Sequence, residues 1–312
     1  MRRLLLAAIV LGLIAGAGFW WLTIPEPLPV AELAAALASH QPDPGNGERL
    51  FNLGGCASCH AGKGAKDLER LRLGGGQALV TPFGTFRVPN ISPDVKTGIG
   101  SWQLGDIVNA VTRGVAPDGR HYYPAFPYAS YARLTTADAI DLAFYLKTLP
   151  PVDNIVAGHD LSFPFTIRRG IGLWKRLYLR PAAVVALPSA SNEARRGQYL
   201  AEGAGHCGEC HTPRNPIGGP DLGRWLAGAP VLDGKGTVPD ITPDPKALAA
   251  WSASDIAYYL EAGFTPDGDA VGGAMSDVVG NLARLPKADR DAIAAYLKAI
   301  PPLPPAPKPG AS

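Results

Sequence analysis

With 312 residues the chain is long enough for two domains with cores of their own, and a net charge of +2 leaves no strongly basic field suited to nucleic acid. Its 37 glycines and 31 prolines make much of the backbone loop or turn, a composition that suits a fold wrapped around something large which completes the core.

The N-terminus carries the first predicted element. After Arg2 and Arg3, the run Leu4 to Ile24 is 21 residues without a charge. As a helix it would be about 31 Å long, enough to cross a bilayer. The two arginines favour a cytoplasmic start, Trp20 and Trp21 suit the far interface, and Pro25, Pro27 and Pro29 stop the helix. A cleaved signal would have small residues just after a shorter apolar stretch, where this chain has Phe19-Trp20-Trp21. The reading is therefore an uncleaved single-pass anchor over 1–24 and a linker over 25–42, with everything beyond exported.

Residues 43–151 form the first of two copies of one domain. A helix through Gly47-Glu-Arg-Leu50 leads to Cys56-Ala-Ser-Cys59-His60. Another follows Trp102. A closing helix starts at Thr135-Thr-Ala-Asp138, a capping-box pattern, and places Leu142, Leu146 and Leu149 on one face. The connector, 152–190, contains TIRRGIGLWKRLYLR, with five basic and no acidic residues. This stretch suits either an anionic membrane surface or a connector helix packed between the domains, and the packed helix is the simpler expectation.

The second copy, 191–303, repeats the first. Cys207-Gly-Glu-Cys210-His211 lies 151 positions after the first motif, Val238-Pro-Asp-Ile-Thr-Pro-Asp244 lies 150 after Val88-Pro-Asn-Ile-Ser-Pro-Asp94, and Trp251 lies 149 after Trp102. Its closing helix begins near Pro286 and carries Ile293, Leu297 and Ile300 on one face. A proline-rich tail, 304–312, ends the chain as an extended or disordered segment.

Two cysteines separated by two residues and followed by histidine form the attachment signature of c-type haem. The thiols form thioethers with the two vinyl groups at one porphyrin edge, and the imidazole is then placed to ligate iron. A shared zinc site would have to draw cysteines from separate domain copies, each with an extra histidine. A thioredoxin-like dithiol would follow a strand, and a two-residue disulfide loop is rare as a staple. The pattern thus predicts two covalent haems c, at Cys56, Cys59 and His60 and at Cys207, Cys210 and His211.

The second axial position breaks the symmetry. Met275 is the one methionine outside the anchor and the candidate sulfur ligand of the second haem; at the local offset of 149 its counterpart is Phe126, which cannot ligate iron. The first haem's free side is then open, or filled by His121 five residues upstream, or by a neighbouring tyrosine.

These motifs, together with Thr97-Gly-Ile-Gly-Ser-Trp102 and Tyr123-Pro-Ala-Phe126-Pro-Tyr128, resemble the cytochrome c family in its membrane-anchored dihaem form, as found in the cytochrome subunits of periplasmic alcohol, gluconate and aldehyde dehydrogenases. The likeness covers roughly residues 43–303. It implies a mainly α fold of two tandem cytochrome c-type domains behind one transmembrane helix. It also implies haem domains on the periplasmic side of the inner membrane, and electron transfer from a periplasmic dehydrogenase or another redox protein towards quinone or a terminal oxidase. Such subunits often carry three haems where this chain has motifs for two, and Phe126 stands where a methionine is usual. No Ser-His-Asp set, phosphate loop or paired carboxylates stand out, so the expectation is an electron carrier. A peroxidase-like or thiosulfate-type oxidoreductase with an open first haem is the alternative, and a gas sensor a third class.

Overall fold

The computed structural model describes residues 1–231 and 236–301; the proline-rich tail and the last two residues of the second copy lie outside the described residues. Helix α1, Arg2–Leu22, has no buried residue, as expected of an apolar rod without a protein partner along its length. The linker is more structured than its sequence suggests. It forms α2, Val30–Ser39, whose Leu33 enters the core of the first domain.

The first domain is built from α3 (Pro44–Leu53), the one-and-a-half-turn α4 (Cys56–His60), α5 (Leu104–Arg113), α6 (Tyr128–Tyr131) and α7 (Thr136–Thr148). A hairpin of β1 (Ala78–Thr81) and β2 (Gly84–Arg87) projects from it, and β3 (Asp160–Leu161), from the connector, pairs antiparallel with β2. After the connector helix α8 (Ile171–Tyr178) the pattern recurs as α9 (Asn192–Glu202), α10 (Gly208–His211), α11 (Ala253–Ala262), α12 (Met275–Leu282) and α13 (Lys287–Ala299), with a short pair β4 (Ala229–Pro230) and β5 (Thr237–Val238).

The first and last helices of each copy cross closely, α3 on α7 and α9 on α13. Glycine at the crossing explains why a helix tolerates its poor propensity. A Cβ on Gly47 would stand 2.3 Å from the Asp141 carbonyl oxygen, and one on Gly197 would stand 1.7 Å from that of Ala292. Around these crossings Leu50, Phe51, Leu142 and Leu146 are buried in the first copy, and Leu200, Ile293, Tyr296 and Leu297 in the second. Each fully buried aliphatic side chain contributes about 1.5–3 kcal/mol. A second repeated device closes each domain. Lys147 Nζ donates to the carbonyl of Trp102 at 3.0 Å, and Lys298 Nζ donates to that of Trp251 at 2.8 Å.

The capping box expected at Thr135 is only half made. Its hydroxyl accepts from Asp138 N at 3.1 Å, but the carboxylate of Asp138 does not return to the Thr135 amide. That amide donates to the Tyr199 hydroxyl at 3.0 Å, and Asp138 accepts from Asn46 at 2.6 Å and from the same tyrosine hydroxyl. Tertiary partners, Asn46 within the domain and Tyr199 across its boundary, have displaced the local one. A complete box forms instead at Ser252–Asp255, and at Gln103 the amide donates to the Asp106 carboxylate at 2.9 Å.

The two copies pack on each other through Arg49, whose guanidinium pairs with the buried Asp289 of α13. A buried chain of hydrogen bonds organises the second copy: Trp225 Nε1 donates to the Tyr296 hydroxyl at 2.9 Å, and that hydroxyl donates to Glu202 at 2.7 Å. Glu202 also accepts the amide of Val184 at 2.6 Å and so fixes the end of the connector.

Candidate haem sites

Each Cys-x-x-Cys-His forms a short helix directly after the first helix of its domain, entered through a tight turn: Gly55 has φ of 57° and His206, its counterpart, 38°. The turn brings the histidine under the loop that follows the first motif. His60 Nδ1 lies 2.9 Å from the Pro89 carbonyl oxygen and His211 Nδ1 lies 2.8 Å from that of Pro239, two prolines that are themselves equivalent in the repeat. A carbonyl only accepts, so Nδ1 carries the proton and Nε2 presents its lone pair, the tautomer and orientation required of a metal-bound imidazole. Burial pulls the pKa of His60 down to about 4 and lowers that of His211, which keeps both rings neutral and able to donate the lone pair.

All four cysteines are free. Burial pushes the thiols of Cys56 and Cys207 up to about 12, the opposite of the depressed value an exchange-active dithiol needs. Among the described residues no cluster of three or more His, Cys, Asp or Glu is placed to hold a metal ion, so the cysteines do not gather into a zinc site. The donor set of two unpaired thiols and one oriented imidazole fits covalent haem at both positions. Haem, when bound, supplies a one-electron ferric/ferrous couple.

Met275 opens α12 and is half-buried against the core. Phe126, its counterpart, sits in a cluster of aromatic rings, with centroids 5.8 Å from Tyr131 and 5.9 Å from Tyr122. The structure takes His121 elsewhere. Its Nε2 donates to the Thr23 carbonyl at 2.9 Å, where α1 ends, and its Nδ1 is buried with no partner. The remaining histidines are also tied outside the motifs: His40 to Asp141, His159 to the Arg87 amide, and His206 to the Gly54 carbonyl.

The two attachment segments meet. His206 Nε2 and the Tyr131 hydroxyl both donate to the Gly54 carbonyl, at 3.1 and 3.3 Å, and their rings stand edge to face at 5.7 Å. Burial, then Asp277 and Cys210, raises the pKa of Cys59, so the outer cysteines of the two motifs lie within electrostatic reach of each other. Ser130, on α6 of the first domain, donates to Glu209 inside the second motif at 2.7 Å. No local pattern marks Tyr131, His206 or Glu209 as parts of this junction, because each gains its partner only when the domains pack.

Residues 45–150 match the cytochrome c family model. The chain is 52% identical over 301 residues to a diheme cytochrome c-type protein of Cereibacter sphaeroides, an alignment that covers 96% of this chain and 99% of that one. The chain belongs to the dihaem c-type cytochromes. This cytochrome carries covalently attached haem c and acts in electron transfer. It is also 36% identical over 281 residues to the fructose dehydrogenase cytochrome subunit of Gluconobacter japonicus, covering 88% of this chain and 55% of that protein. To the gluconate 2-dehydrogenase cytochrome c subunit of Pantoea cypripedii it is 34% identical over 280 residues, covering 85% and 62%. The cytochrome thus spans nearly all of the Cereibacter protein and little more than half of these two dehydrogenase subunits.

Proposed function

We propose that this cytochrome is the electron-transfer partner of a dehydrogenase, held by α1 on the periplasmic face of the inner membrane and passing electrons towards the respiratory chain. The observation that carries the reading is the pair of attachment segments, each with its histidine oriented by a proline carbonyl, packed against each other within one rigidly braced molecule. The dehydrogenase partner is drawn from the relatives, two of which are cytochrome subunits of such enzymes. Retention of α1 is supported by how its end is built into the fold. Thr23 has no exposed surface, and Arg169 and Arg176 donate to the carbonyls of Trp20 and Leu22 at 3.0 and 2.6 Å. A signal peptide is removed and has no reason to complete a buried joint.

Met275 is the axial ligand of the second haem in this reading, and the first haem keeps an open position, since His121 is spent on α1. The test of the carrier role uses host membranes under anaerobic conditions. Gluconate, an alcohol or a sugar should reduce the cytochrome, read as its reduced haem absorbance, and deletion of the cytochrome should lower oxygen uptake driven by the same substrate. A cytochrome that stays oxidised with every dehydrogenase substrate, or a deletion without effect on respiration, would remove the role.

A further inference from the structure

The basic connector segment is not consumed by the haem sites, and its position is set by α1. The Arg169 guanidinium lies over the Trp20 ring at 3.6 Å, and that of Arg176 lies over Trp21 at 5.9 Å. Both tryptophans belong to the last turn of α1, where a spanning helix places its aromatic belt. The helix rises about 1.5 Å per residue, so a side chain bonded to the Trp20 carbonyl stands within a few ångströms of the end of the span. Gly172 presses α8 onto the same point, for a Cβ there would stand 2.6 Å from Thr23 Cα. If α1 crosses a bilayer, α8 has no choice of level: it lies in the headgroup layer.

The exposed surface of the segment is made for that layer. Leu173 and Leu177, one turn apart, are 38% and 52% exposed, and Ile167 on the preceding turn is 50% exposed. Arg176 and Arg180 flank them. Beside the end of α1 a cavity of about 270 Å³ opens among Ile24, Glu26, Arg113, Lys175, Arg176 and Leu179. Three basic side chains and one carboxylate line it; Arg176 pairs with Glu26 at 3.0 Å, and Lys175 donates to the carbonyls of Arg113 and Gly114 at 2.7 and 2.6 Å. Arg113 uses only its Nε, on the Glu26 carbonyl at 3.1 Å, and Arg169 Nε nearby is buried without a partner. Apolar side chains beside unspent guanidinium donors match an anionic phospholipid, acyl chains on one side and phosphate on the other.

The geometry points to a phospholipid headgroup site: α8 lies in the outer leaflet's interface with Leu173 and Leu177 in the acyl boundary, while Arg113 and Arg169 bind the phosphate of anionic lipid. The inference rests on the retained anchor. It fixes the tilt of the haem domains against the membrane, because α8 and α1 then form two contacts instead of one flexible tether.

The test uses full-length holoprotein in nanodiscs of phosphatidylcholine, with or without phosphatidylglycerol, and a nitroxide on Leu173→Cys, Leu177→Cys or, as reference, Tyr258→Cys on α11. Intact mass shows whether α1 is present, and haem absorbance shows that the fold is intact, so loss of the anchor is read separately from failure of the lipid site. The expected result is a several-fold higher accessibility to oxygen relative to a nickel chelate at 173 and 177 than at 258, larger with phosphatidylglycerol. In the Arg113→Gln/Arg169→Gln variant that lipid dependence should disappear. Labels at 173 and 177 as exposed to water as the label at 258 in both lipids overturn the proposal. Equal immersion with and without phosphatidylglycerol overturns the assignment to anionic headgroups.

Discussion

Asn281 Nδ2 donates to the Ser58 hydroxyl at 2.8 Å, so the helix that begins with Met275 in the second domain holds the attachment segment of the first. The reciprocal contact runs from Ser130 to Glu209, and Ser58 and Glu209 occupy the same position of the two motifs. Each domain therefore holds the other's Cys-x-x-Cys-His segment, the second through α12 and the first through α6.

The clamp predicts an energetic coupling. In a double-mutant cycle of Asn281→Ala and Ser58→Ala, unfolding followed by haem absorbance should give an interaction of about 0.5–1.5 kcal/mol, the net worth of one such hydrogen bond. Additive effects would mean that the domains do not hold each other at this point.

Ligand binding to the reduced protein separates the axial assignments. Carbon monoxide should bind half of the haem in the wild type and all of it in Met275→Ala. His121→Ala should match the wild type, since that ring is engaged by Thr23. Absence of carbon monoxide binding in the wild type would mean that the first position is filled, and an unchanged stoichiometry in Met275→Ala would remove the methionine as ligand.

Gly172→Ala tests the joint between α1 and the domains. The added methyl meets backbone and not a movable side-chain tip, so α8 and Thr23 must part, at a cost of about 1–3 kcal/mol for overpacking. Limited proteolysis should then cut within residues 24–29 faster than in the wild type, with haem absorbance unchanged. An equal cleavage rate would show that the joint is not packed as described.

Acid should weaken the second domain through a cap. The carboxyl of Asp255 is held below its ordinary pKa by the Ser252 hydroxyl and amide, which donate to it at 2.7 and 2.8 Å. Folding thus favours the ionised form. Its contribution is present above the ordinary carboxylate value, about pH 4, and is lost as pH falls through the lowered one. Asp255→Asn should lower the thermal midpoint at neutral pH and flatten its decline on the acid side. A parallel decline in both proteins would exclude the cap as a contributor.

Much of the architecture was legible because it is written twice in local patterns. Thiol spacing, the leucine faces of α7 and α13, and the chemical difference between Met275 and Phe126 all act within a few residues of chain. The Thr135 cap shows where such reading stops. Its serviceable local partner, Asp138, was taken by Asn46 and Tyr199, side chains about 92 and 61 positions away that no window would include. His121 shows the same limit: it lies five residues from Phe126 in sequence, but its hydrogen-bond partner is Thr23, 98 residues earlier.

By itself the sequence determined the two Cys-x-x-Cys-His motifs, the repeat and the membrane-length helix, since motif spacing and side-chain periodicity depend on near neighbours. Only the tertiary structure decided that prolines 89 and 239 orient the two histidines, that the domains clamp each other's motifs, and that the basic connector sits at the end of α1. Those are contacts between distant segments, and they exist only where packing brings a donor to an acceptor.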